Sequence, residues 1–105
     1  MAVQLPTGIE RRLMQRRLAR CTATLQELRE DLRVTNEQFD VMRDEANDAE
    51  LRAIVSETPS TQATHRDTQQ HFLAISKHRS FLTDSIAECE AELDSLLDRL
   101  NAREA

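Results

Sequence analysis

The chain of 105 residues has no Trp or Tyr, three Phe, one Gly and two Pro. So little glycine and proline leaves too few turn residues for the many reversals of a β fold. So few aromatics argue against a thick globular core. No run of about 18 consecutive apolar residues occurs, so no membrane-spanning helix is expected. The opening stretch MAVQLPTGIERR carries no apolar h-region of the kind that marks a secretory leader. These absences together lead to the expectation of a cytoplasmic protein that does not engage a membrane. Cysteine is scarce too, with only Cys21 and Cys89, both read as reduced thiols that behave as small buried hydrophobes.

Motifs of catalysis are missing as well. The sequence holds no phosphate-cradling glycine loop, no His-Glu zinc motif and no nucleophile elbow. The expectation is a protein that is not an enzyme and takes no cofactor and no metal. His71 and His78 share a helix face but stand two turns apart, too far to hold one ion. Together with His65 they are read as solvated or flanking residues, with Glu45 in reach of His71 across a hairpin.

What is present is charge, at 31% of residues, laid over a seven-residue apolar repeat. The segment TGIE has the form of a capping box, Thr7 accepting from the amide of Glu10 and the Glu10 carboxylate reaching back, so a helix is expected to start near Gly8. From there the inward positions of a heptad run without a slip through Met14, Leu18, Cys21, Leu25, Leu28, Leu32, Thr35, Phe39, Met42, Ala46, Ala49 and Ala53. Only Thr35 among them is polar. The run breaks at SETPSTQ, where Pro59 cannot continue a helix but suits the first turn of a new one, and Thr58 is placed as its N-cap. The second helix has its own seam: Thr68, Phe72, Ile75, Arg79, Leu82, Ile86, Cys89, Leu93, Leu96 and Leu100.

Two apolar seams joined by a turn of a few residues must pack on each other as antiparallel neighbours. Two registers one heptad apart bring inward positions together. The preferred one sets Met14 against Leu100, Leu18 against Leu96, Leu32 against Leu82 and Phe39 against Ile75. It also lets the polar Thr35 meet the polar Arg79. The other would put the Arg79 guanidinium against Met42 and leave Met14 unpaired, which costs apolar burial. In the preferred register Cys21 and Cys89 fall one layer apart, beyond disulfide reach. Residues 46–66 offer only alanine on the seam of the first helix, and loose packing is expected there.

The reading is therefore an all-α protein, a long antiparallel two-helix coiled-coil hairpin. Residues 1–7 form a tail and 8–105 a single hairpin, with helix 1 over about 8–56, a turn over about 57–60 and helix 2 over about 59–103. A two-helix ladder covers each seam side chain only in part, so one hairpin alone is marginal. A second apolar set lies off the seam: Val34, Val41 and Val55 on the first helix, and Leu73, Ala74 and Phe81 on the second. Val34, Val41, Leu73, Ala74 and Phe81 are taken as a self-association or partner patch, the expected product being a dimer of hairpins that forms a four-helix bundle.

One stretch departs from the even mixture of charge. ERRLMQRRLAR crowds Arg11, Arg12, Arg16, Arg17 and Arg20 at one helix end, while Asp84, Glu88, Glu90, Glu92, Asp94 and Asp98 form an acidic run on the second helix. Antiparallel folding brings these blocks together, and their attraction opposes parallel or slipped arrangements. The expected function is a coiled-coil protein–protein interaction module, an adaptor or scaffold that self-associates and presents helix faces to a protein partner the sequence does not identify. The alternative is a nucleic-acid-associated regulator contacting phosphates through Arg11, Arg12, Arg16, Arg17 and Arg20. A net charge of −5 and the lack of aromatics beside the arginines weigh against that alternative.

Overall fold

A computed structural model describes residues 8–102 of the chain. They form two helices packed against each other, α1 (Gly8–Val55) and α2 (Pro59–Asn101). α1 is described from Gly8, the first described residue, and Thr7 of the proposed capping box lies outside the described residues. It ends because Pro59 follows closely: Thr58 is pushed out of helical geometry by the proline ring, and the chain reverses over Ser56–Thr58.

The start of α2 is fixed by a reciprocal cap. The Thr61 amide donates to Thr58 Oγ1 at 3.1 Å, and the Thr58 amide donates to Thr61 Oγ1 at 3.1 Å. This is the capping-box arrangement with threonine in the position usually taken by Glu or Gln. The Thr61 hydroxyl also donates to the Ser56 carbonyl. The Ser56 amide closes the end of α1 on the Arg52 carbonyl at 2.8 Å. Arg52, in the last turn, is favourably placed for the negative end of the helix dipole and pairs with Asp48 at 3.1 Å.

Packing divides the described residues into two units, one of residues 8–29 with 84–102 and one of residues 30–83. In the first, the described segments of α1 and α2 bury Met14, Cys21, Leu25, Leu96 and Leu100 between them. In the second, Thr35, Ala46, Ala49 and Leu82 are buried, with Phe39 and Phe72 half-buried and their ring centroids 5.2 Å apart. Every expected seam position of α1 is buried or half-buried, and so is every one of α2 except Arg79. The heptad pattern therefore identifies the inward stripe of both helices residue by residue. Of the seam alanines in residues 46–53, Ala46 and Ala49 are buried and Ala53 half-buried.

Two polar residues extend the α2 seam toward the turn, at positions left out of the expected stripe. Thr61 and His65 continue the alternating spacing from Thr68 and are both half-buried. His65 is thus not a solvated flanking residue, and its Nδ1 is buried without a hydrogen-bond partner. Arg79 departs in the other direction. Its guanidinium leaves the seam and lies 4.5 Å from the Phe39 ring centroid, while its Nε donates to Asn36 Oδ1 at 2.8 Å. Stacking on an aromatic face and hydrogen bonding in water cost less than burial among apolar groups.

Seam burial sets a scale for mutation. Leu96 is 1% exposed and Leu97, the next residue, 39%. Leu96→Ala is expected to destabilise the folded chain by about 2–4 kcal/mol through lost contact and a residual cavity. Leu97→Ala is expected to change stability by less than about 1 kcal/mol. Urea unfolding followed by circular dichroism checks both, and equal effects would contradict the assigned seam.

Candidate interaction surfaces

With the seam fixed, the remaining heptad positions fall on two flanks of each helix pair. In antiparallel packing, the g positions of one helix neighbour the g positions of the other, and e positions neighbour e positions. The ion pairs of the unit containing residues 8–29 and 84–102 follow this rule. Arg17 and Glu92, both at g, meet at 2.7 Å on one flank, and Arg29 and Glu90, both at e, meet at 3.3 Å on the other. The basic block and the acidic run do come together, through Arg17, while Arg29 joins from outside the block.

Among the described residues, Arg17 is the one member of Arg11, Arg12, Arg16, Arg17 and Arg20 that enters an ion pair. Arg12, Arg16 and Arg20 are exposed and Arg11 is half-buried. Further along α1 the arginines are occupied within their own helix: Arg33 by Glu30 and Glu37, Arg43 by Asp40 and Asp44. Such exposed pairs contribute little to stability but consume the charge that could otherwise reach a polyanion.

In the unit of residues 30–83, the g positions Gln38, Glu45, His71 and His78 are bordered by four apolar residues at c. Val34 and Val41 occupy c positions of α1, Ala74 and Phe81 occupy c positions of α2, and all four are exposed, Phe81 at 63% and Val41 at 54%. Between the helices on this flank lies an open depression lined by Gln38, Met42, His71, Ala74 and Ile75. A second apolar concavity, lined by Leu51, Arg52, Val55, Ser56 and Thr61, adjoins the turn. Leu73 is also exposed, but its b position assigns it to the opposite flank, so the five-residue patch read from the sequence divides into four residues and one. His78 stacks on Phe81 with ring centroids 6.5 Å apart, whereas the expected pair of Glu45 and His71 is not among the ion pairs of the described residues. His71 instead lines the depression.

The cysteines are nearer to each other than the layer geometry implied. Cys89 Sγ donates to the Cys21 carbonyl oxygen at 3.2 Å, although both thiols are free. Ideal layers place two d residues of opposite helices one step apart, yet the side chain of one leans along the axis toward the backbone of the other. Burial, followed by the nearby Glu92 carboxylate, raises the Cys21 thiol above its ordinary value. Glu92 is held below the usual carboxylate range, first by its hydrogen bond from Arg17 and next by that from Cys21.

No group of three or more His, Cys, Asp or Glu among the described residues could hold a metal ion, and no described helix is long and apolar enough to cross a membrane. Compared with known proteins, the chain matches no family model, no curated protein and no solved structure.

The lowered Glu92 value has a direct consequence. A depressed carboxylate contributes stability above its ordinary range and loses that contribution as pH falls through the lowered folded value. Arg17→Gln is expected to move the Glu92 titration midpoint, followed by carboxyl NMR, upward toward the ordinary range. An unchanged midpoint would mean that the pair does not persist in solution.

Proposed function

We propose that the chain is a non-enzymatic coiled-coil interaction module, an adaptor or scaffold of the cytoplasm, that self-associates as a dimer of hairpins into a four-helix bundle and presents its remaining helix faces to another protein. The apolar c positions that border the g flank of residues 30–83 carry this reading. One surface holds both a protruding aromatic, Phe81, and a depression lined by Met42, Ala74 and Ile75. A two-fold interface needs a patch that is complementary to itself, because each residue that inserts must find its receiving site on an identical copy. Phe81 of one copy entering the depression of the other, with Val34 and Val41 packed around it, satisfies that requirement twice over. It also removes from water side chains that a two-helix ladder leaves uncovered. His71 and Gln38 at the rim supply polar groups where the patch meets solvent, the usual arrangement of core and rim.

A second reading has one observation in its favour. Arg12, Arg16 and Arg20 are exposed and outside the ion pairs of the described residues, so a phosphate backbone could reach them. The neighbouring acidic run and the net charge of −5 oppose the approach of a polyanion, which ranks this regulator function second.

Analytical ultracentrifugation of the full chain at micromolar concentration is expected to give a dimer, and Phe81→Glu a monomer with lower thermal stability. The double change Arg16→Gln and Arg17→Gln is expected to leave the dimer intact. A well-folded wild-type monomer would overturn the self-association reading, and heparin binding with a steep salt dependence would favour the phosphate-binding one.

A further inference from the structure

We propose that Cys21 and Cys89 form a modification site, a dithiol that a low-molecular-weight disulfide converts reversibly into an intrachain disulfide tying α1 to α2. The geometry is the first argument. Cys89 Sγ lies 3.2 Å from the Cys21 carbonyl oxygen. A carbonyl oxygen stands about 2.4 Å from its own Cα, so Cys89 Sγ is within about 5.6 Å of the Cys21 Cα. A disulfide places each sulfur closer than this to the opposite Cα, so the bond would form with a rotation about χ1 of Cys89.

The second argument is the asymmetry of the pair. Cys21 is buried and Cys89 half-exposed, so an oxidant in solution meets Cys89 first. The Cys89 thiolate attacks one sulfur of the small disulfide RSSR, forming a mixed disulfide and releasing RS⁻. The Cys21 thiolate then attacks the Cys89 sulfur, breaking its bond to the second R–S group, which leaves as RS⁻. Two thiol protons are released and taken up by the two departing thiolates. Two electrons pass from the protein to RSSR, which ends as two molecules of RSH. Burial and then Glu92 hold the Cys21 thiol above its ordinary value, so the second step is the slow one and quickens as pH rises above neutral.

The third argument is the position of the two residues in the chain. The bond would join residues far apart in sequence, closing a long loop that removes many conformations from the unfolded chain. It would act within one unit, residues 8–29 with 84–102, whereas the apolar flank proposed for self-association belongs to the other. Oxidation would therefore lock the pairing of α1 with α2 without consuming that surface.

The test uses the full chain with oxidised glutathione, quenched with N-ethylmaleimide and digested with trypsin without reduction. An equal mixture of ¹⁵N-labelled and unlabelled protein separates links within a chain from links between chains. The expected product joins peptide 21–29 to peptide 80–99, with both halves light or both heavy. Dithiothreitol should part them. The oxidised chain should melt on the order of 10 °C higher than the reduced one. In Cys21→Ser, glutathione should accumulate on Cys89. Mixed light and heavy links, a stable glutathione adduct on Cys89 of the wild-type chain, or two thiols that remain free would each overturn the proposal.

Discussion

Everything in this structure depends on the burial of one apolar stripe per helix against the stripe of the other. Neither helix could keep its form alone in water: helices gain most of their stability from tertiary packing of one face rather than from intrinsic propensity. Met14, Leu25, Leu82, Leu96 and Leu100 carry that packing. The rest of the surface consists mostly of charged and polar groups that dissolve the pair and fix its register. The stripe is narrow, two positions in seven, so most side chains of the described residues lie on the flanks of the helix pair.

Flank chemistry differs between the two packing units. Where α1 and α2 meet in residues 8–29 and 84–102, both flanks carry cross-helix ion pairs, Arg17 with Glu92 and Arg29 with Glu90. In residues 30–83 the arginines of α1 turn to acids of their own helix, and the exposed apolar Val34, Val41, Ala74 and Phe81 border the g flank. Charge that bridges two helices specifies the pairing, because it penalises a slipped register. Charge satisfied within one helix cannot, and there the specification passes to Arg79, which leaves the seam to stack on Phe39 and bond Asn36.

Most of the fold was legible in the sequence because seven-residue periodicity reports directly which side of a helix meets its neighbour. The seam from Met14 to Ala53, the break at Pro59 and the Thr58 cap could all be read without coordinates. What escaped had specific causes. Thr61 and His65 are polar, so a search for apolar recurrence stopped short of them although they keep the spacing. Side-chain volume does not report burial among the alanines: Ala46 and Ala49 are small and yet buried. The patch residues were legible as apolar, and heptad spacing alone puts Val34, Val41, Ala74 and Phe81 on one side of the hairpin and Leu73 on the other. The depression beside Ala74 is a shape, and no periodicity encodes shape.

The cysteines show where layer reasoning reaches its limit. Treating each seam residue as a point on a straight axis puts Cys21 and Cys89 a full step apart, and on that picture two inert thiols is the only sensible reading. A side chain, however, projects along the axis as well as across it. A thiol on one helix can therefore reach the backbone of a residue nominally in the next layer. Once Cys89 Sγ is seen on the Cys21 carbonyl, the scarcity of cysteine takes on a different meaning. A chain with two cysteines, both inward, on opposite helices and within reach of each other, has the minimum needed for one intrachain bond and no third thiol to divert it.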